Sequence, residues 1–248
     1  MPGRAICSSL TPVGDLREYV DERESTARQG LPRGWLVRTL RHVTTHSLRQ
    51  SGKVHVTKLF VPVTRVQARR LARNGPVRLH LGCGTNKLAG WVNIDIFGMD
   101  PDLHWDLRWR LPFPDGSATA VFLEHVIEHF TLVDALSLLD DCRRVLRPGS
   151  RIRIGVPDFG EYLESYASDG AFIQRNRPGR PTPLLAVAEV ALAHGHRSVW
   201  DGPTLVNVLA EAGFDDARVR PFGDSSIQDD LDSPIRQGES IYAEAVKP

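Results

Sequence analysis

The segment Leu79-His80-Leu81-Gly82-Cys83-Gly84-Thr85-Asn86 decides how this chain is read. A short apolar strand, Val77–Leu81, runs straight into two glycines separated by one residue. Glycine has no side chain and tolerates positive φ, so such a turn lets the backbone approach a ligand closely. In a doubly wound sheet this turn sits at the carboxyl end of the first strand, where ligands bind. A G-x-G turn alone is also compatible with a plain structural turn. The next strand, Val92–Ile96, adds information, because Asp95 stands at its tip, eleven residues beyond Gly84. A carboxylate there can accept hydrogen bonds from both hydroxyls of a ribose. Without such partners it is read as a helix cap or a solvated turn acid. Turn and acid together point to a nucleoside-type ligand.

Outward from this core, strand and helix patterns alternate. Ala120–Leu123 reads as a third strand, and Leu132–Leu146 as an amphipathic helix with Leu132, Ala135, Leu136, Leu139, Cys142, Val145 and Leu146 at helical spacing. Pro148-Gly149 ends that helix, and Arg151–Val156 is a strand with Ile152, Ile154 and Val156 alternating. A helix is expected at 161–168, a polar, proline-broken surface insertion or flexible lid at 171–183, and helices at Leu184–Leu192 and Gly202–Ala212. Ala217–Pro221 and Ser240–Val246 are the last two strands. The fold class is therefore α/β: a doubly wound, Rossmann-like, mostly parallel sheet from residue 76 to 248, with a lid insertion at 159–200. An antiparallel final strand is expected as a variation on this sheet. Residues 1–75 form a separate accessory region, a lid or dimer surface. In it, helices are expected at Asp15–Gln29 and 35–50, an extended piece at 54–63 and a basic helix at 63–73, stopped by Asn74-Gly75-Pro76.

The 248 residues, 41% of them hydrophobic, suit one globular core of moderate size. No apolar run is long enough to span a bilayer. The first residues lack a secretory pattern, and three scattered cysteines make neither a disulfide framework nor a zinc site, so a cytoplasmic protein is expected. Charge is unevenly placed: from Ser25 to Ile94 there is no Asp or Glu, while the stretch holds thirteen Lys and Arg. Three readings stand: packing on the acidic remainder or on a second subunit as a homodimer, an anionic substrate or lipid surface, and nucleic acid. No zinc-finger spacing or RNA-binding strand motif supports the last.

Three polar groups are candidates for chemistry. Glu124-His125-Val126-Ile127-Glu128-His129 places two histidines four apart, which on a helix would share one face. The order HVIEH is not the H-E-x-x-H of zinc hydrolases, so that reading is rejected. Asp158, Glu161 and Tyr162 follow the strand at 151–156, where they could orient an acceptor or serve as a cap and first-turn acids. His194-Gly195-His196-Arg197 precedes Trp200 and Asp201. No compact carboxylate set stands out, and no metal is expected.

Five ordered blocks carry a family resemblance: LHLGCGTNKLAGWVNID at 79–95, DLRWRLPFPDGSATAVFLEHVIEHF at 106–130, RVLRPGSRIRIGVPD at 144–158, GHRSVWDGPTLVNVLAEAGF at 195–214 and SIYAEAVK at 240–247. Over roughly 77–247 the chain resembles class I S-adenosylmethionine (SAM)-dependent methyltransferases, in their small, bacterial, type-11-like branch. The third glycine of a nicotinamide-binding G-x-G-x-x-G is replaced by Lys87, which weakens the dinucleotide alternative. The resemblance implies SAM as cofactor, with Gly82, Cys83 and Gly84 near its methionine part, Asp95 on the ribose, Ile96 near adenine, Asp106 and Leu107 at the adenine edge, and Glu124 and His125 beneath the sulfonium. It implies that Glu128 and His129 are structural members of their turn. His125, His129, Asp158 and His196 are the candidate catalytic groups. Glu161, Tyr162, His194, His196 and Arg197 are the candidate acceptor contacts. The expected activity is O- or N-methylation of a small molecule, with a sugar-containing natural product or biosynthetic intermediate as the candidate acceptor. An RNA or protein methyltransferase, or a SAM-binding scaffold without turnover, are the alternatives.

Overall fold

The computed structural model describes residues 18–19, 61–96 and 100–248. The expected helices at 15–29 and 35–50 fall outside these residues, apart from a helical 18–19, as does the extended piece over 54–60. Residues 61–63 are already helical and continue into the basic helix α1, over 61–73.

Seven strands form one sheet: β1 (Val77–Leu81), β2 (Val92–Asp95), β3 (Leu103–His104), β4 (Ala118–Glu124), β5 (Leu146–Pro157), β6 (Asp215–Arg220) and β7 (Ser240–Val246). Their order is β3-β2-β1-β4-β5-β7-β6. The first five pair in parallel, and β7 runs antiparallel to both β5 and β6. This is the mostly parallel, Rossmann-like methyltransferase sheet with a reversed final strand. Strand order reverses between β1 and β4, and crevices at such switch points are where open α/β sheets bind ligands. The third strand read from the sequence, 120–123, is in fact β4. The true β3 is only two residues long and carries no alternation that could be read.

The helices are α2 (Leu132–Val145), α3 (Phe159–Ala167), α4 (Ala171–Asn176), α5 (Pro183–Leu192) and α6 (Gly202–Glu211). Thr131 caps α2 by accepting from the Asp134 N–H, and Asp201 caps α6 through Thr204, as expected of short polar side chains at helix starts. Leu132 lies outside the buried stripe of α2, at 48% exposure, whereas Leu138 is buried. The segment 171–183 is not a structureless insertion. It holds α4, with Ile173 buried, and Pro183 opens α5 behind a Thr182 cap. Proline suits a first helical turn, where its missing N–H would have had no partner.

Two compact units divide the described residues. One contains 61–96, 100–158 and 195–248; the other contains 18–19 and 159–194. The core of the first joins strand residues such as Leu79, Leu81, Ile94, Val121, Leu123, Ile152 and Ile154 to Leu139 of α2 and Leu205 of α6. The second has its own small core of Tyr162, Ile173, Ala186, Val187 and Val190. Charged side chains are buried within the sheet: Glu244 of β7 and, fully, Arg153 of β5. It donates to Asp232 (Nε to Oδ1, 2.6 Å), to Glu244 at 3.1 Å, and to the carbonyls of Pro221 and Asp224. Its guanidinium also lies 4.8 Å from the Tyr242 ring centre. Complete pairing offsets the cost of burying such a charge. No helix among the described residues is long and apolar enough to cross a membrane.

Candidate functional site

At the exit of β1 the chain turns through Gly82, with φ +70°, and Gly84, with φ +51°. A Cβ on Gly82 would come within 2.4 Å of a Val126 methyl, so the position needs glycine for both conformation and space. A Cβ on Gly84 would meet nothing within 4 Å and would stand in the open space in front of the turn. The N–H groups of Gly82 and Cys83 both donate to the Ile94 carbonyl, at 2.8 and 3.1 Å. The Gly84 N–H donates to Asp95 Oδ2 at 2.9 Å. Turn and acid, read separately in the sequence, are thus one hydrogen-bonded unit. A carboxylate has about four acceptor positions, and the Gly84 N–H takes one of those on Asp95. Ile96 follows, half-buried.

Beneath the turn, Asn93 organises the neighbouring loop. Its side chain accepts from the Leu88 N–H and lies 3.1 Å from His80 Nδ1, and it donates to Leu88 O, Trp91 O and Asp102. Burial lowers the His80 pKa to about 4, so this ring is neutral at ordinary pH. Burial, followed by the charge of Asp95, raises the Cys83 thiol to about 11, which makes it a poor nucleophile.

After β3, Asp106 and Leu107 are both buried. Asp106 is paired with Arg108, whose Nε and Nη2 approach it at 2.9 and 2.6 Å. A cavity of about 420 Å³ opens beside Leu107, walled by Arg108, Asp134, Asp141 and Arg144. The glycine turn does not line this cavity.

Glu124 ends β4. Its Oε1 accepts from the Tyr242 hydroxyl and the Ser233 N–H, both at 2.9 Å. Burial, then the Glu124 charge, raises the Tyr242 pKa and keeps the phenol a donor. His125 adopts φ 54°, unusual for a bulky side chain. It is held there by its N–H on Gly155 O at 2.9 Å and by Nε2 against Ser240 Oγ at 2.7 Å. The helix that would have aligned His125 with His129 is absent. Ile127–His129 is a single 3₁₀ turn. His129 instead packs edge-on against His196, ring centres 5.0 Å apart. Glu128 is 1% exposed, and neither carboxyl oxygen has a hydrogen-bond partner. Burial raises its pKa to about 8.

Asp158 pairs by a parallel bridge with Trp200, and its N–H donates to Glu239 O at 2.9 Å. Arg197 is exposed and lies 3.9 Å from Asp134. In the second unit, Tyr162 is fully buried and edge-on to Phe172, while Glu161 and His194 are exposed. Three cations of the basic stretch are used internally: Arg65 lies over Trp105, Arg78 over Trp91, and Lys87 pairs with Asp102 at 3.1 Å.

Sequence reasoning did not single out Asn93, Val126, Ser233, Ser240 or Tyr242. Each acts through a partner on another element, so no local spacing marks them. The block at 240–247 was the only signal that touched two of them.

Residues 79–154 match the methyltransferase-domain family. The chain has a class I, SAM-dependent methyltransferase-like fold. Among solved structures it is similar to a SAM-dependent methyltransferase from Archaeoglobus fulgidus, with 16% identity, TM-score 0.45, and 75% of this chain and 94% of that one covered. A Nostoc punctiforme protein thought to be an O-methyltransferase matches at 15% identity and TM-score 0.35, over 54% of this chain and 33% of that one. Phosphoethanolamine N-methyltransferase 2 of Haemonchus contortus matches at 13% identity and TM-score 0.40, over 70% and 49%. The chain therefore spans about a third of the Nostoc protein and half of the Haemonchus one. No curated protein matches it.

Proposed function

We propose that this protein is a SAM-dependent O- or N-methyltransferase whose acceptor is a small molecule, for example a sugar-containing biosynthetic intermediate. The observation that carries the reading is the Gly84–Asp95 hydrogen bond at the carboxyl edge of a switch-point sheet. It joins a side-chain-free backbone turn to a carboxylate on the adjacent strand, and the methyltransferase-domain match begins in the strand that feeds it. The crevice fits the cofactor: the space in front of Gly84 is open, and a side chain there would occupy it.

When bound, SAM supplies a methyl group activated by a positively charged sulfur. The residues of the chain bind and orient. Asp95 would accept from the ribose hydroxyls, and Gly82 and Gly84 would admit the amino-acid end against bare backbone. Glu124, fixed by Tyr242 and Ser233, presents negative charge at the exit of β4, where a cationic sulfur is favoured. His125 and Asp158 lie at the same strand ends and are the groups placed to orient an acceptor or take its proton. A small-molecule acceptor is supported by the lack of any nucleic-acid-binding motif in the sequence.

Calorimetric titration with SAM and with its demethylated product tests the cofactor assignment. Incubation with labelled SAM and an acceptor panel, read as a mass gain of one methyl, tests the activity. Methylation of RNA or protein but of no metabolite would overturn the small-molecule reading.

A further inference from the structure

The order HVIEH is not that of a zinc-hydrolase motif, yet the fold assembles a ligand set that no local motif contains. The N–H groups of Arg197 and Ser198 both donate to the Glu128 carbonyl, at 2.7 and 3.2 Å. The Trp200 indole donates to Ser198 Oγ at 2.9 Å, and that hydroxyl donates to Ile127 O at 3.4 Å. These bonds fasten residues 197–200 onto the turn after β4 and bring His196 against His129. One ligand atom from each of Glu128, His129 and His196 then lies within 4.8 Å of the others.

A second observation is independent of the histidines. The Glu128 carboxyl is buried, and neither oxygen accepts a hydrogen bond. His125 Nδ1 is 3.5 Å from one of them, outside hydrogen-bonding geometry. Buried acids without a partner are rare because the desolvation is uncompensated, and a cation is one of the few groups that compensates it.

We propose that Glu128, His129 and His196 form a binding site for a divalent transition-metal ion of the zinc class. Two imidazoles and one carboxylate are the donor types of zinc sites that keep an open position. In a tetrahedral site, ligand atoms stand about 3.4 Å apart, given bond lengths near 2.1 Å. The three ligand atoms, within 4.8 Å of one another, would have to draw in by up to about 1.4 Å on binding the ion. An open position on such an ion would take an acceptor oxygen. That last role alone rests on the methyltransferase reading.

The test uses the full chain without an affinity tag, stripped by chelator and dialysed. Zinc(II) is titrated calorimetrically, and cobalt(II) is followed by visible absorption, which reports tetrahedral coordination. The expected result is one ion per chain. His196→Ala, His129→Ala and Glu128→Gln should each weaken binding by more than about 10-fold, the lower bound for loss of even a supporting partner of a metal ligand. The two histidines are surface-accessible, so their variants keep the test meaningful if Glu128→Gln misfolds. SAM affinity measured on His196→Ala should equal that of the parent, which separates failure of this site from failure of the cofactor assignment. Absence of stoichiometric binding, or binding equally strong in all three variants, would overturn the site.

Discussion

The exits of β1 and β4 lie side by side on the same edge of the sheet, but they are built in opposite ways. The turn after β1 is closed by partners within about a dozen residues: Gly82 and Cys83 on Ile94, and Gly84 on Asp95. The segment after β4 is held by the far end of the chain. Glu124 depends on Ser233 and Tyr242, His125 on Ser240, and the Glu128 backbone on Arg197 and Ser198. The first exit pairs its carboxylate; the second leaves Glu128 unpaired. Local closure makes a turn that tolerates little change, while remote closure makes a surface whose chemistry depends on which distant residues arrive.

The sharpest break of this contrast is Asp95→Ala. Loss of two hydrogen bonds to a charged acceptor corresponds to about 3 kcal/mol or more, so SAM affinity should fall by at least about 100-fold while the melting temperature barely moves. Titration of the folded variant checks this, and unchanged affinity would sink the ribose assignment. Next comes acid stability. The His80 pKa is depressed from 6.5 to about 4, so the unfolded chain binds the proton more readily between those values. Stability should be full above pH 6.5 and decline by up to about 3 kcal/mol as pH falls towards 4. Chemical denaturation of His80→Gln across that range should show a flatter profile.

Gly82→Ala places a methyl against Val126 and forces a left-handed alanine, at a cost of about 2 kcal/mol. Gly84→Ala shares the left-handed strain but meets no neighbouring atom, so it should cost less stability than Gly82→Ala while weakening SAM binding. If both variants change melting temperature alike, the distinction between the two glycines fails. The smallest effect concerns the other exit. In chelator-treated protein, Glu128→Gln should be more stable than the parent by about 1 kcal/mol near pH 8, since it removes a carboxyl whose ionisation burial resists. The folded pKa is raised from 4.5 to about 8, so stability in the parent is lost as pH climbs through that interval, opposite in sign to His80.

These differences also mark what was legible in the sequence. β1, β2, α2, α6 and β7 were readable because apolar periodicity and capping residues agree within each segment. The turn and Asp95 were readable because their bond is nearly local. β3 was not, being two residues long, and α4 was hidden because the prolines that follow it look like breakers of one continuous loop. Alternation along 151–156 put Arg153 on the face away from Ile152 and Ile154, but both faces of this sheet are covered, so that face is interior too. The His129–His196 pairing crosses between elements, and no spacing rule reports it.

Arg153 has a wider reach than its place in β5 suggests. Residues 221–232 have no regular strand or helix, yet Arg153 holds the carbonyls of Pro221 and Asp224 as well as Asp232, while Glu244 takes the Ser226 N–H. The next residue, Ser233, is the one that steadies Glu124. An irregular stretch anchored from below in this manner inherits its course from a charge inside the sheet, so Ser233, and with it the Glu124 carboxylate, is positioned from β5.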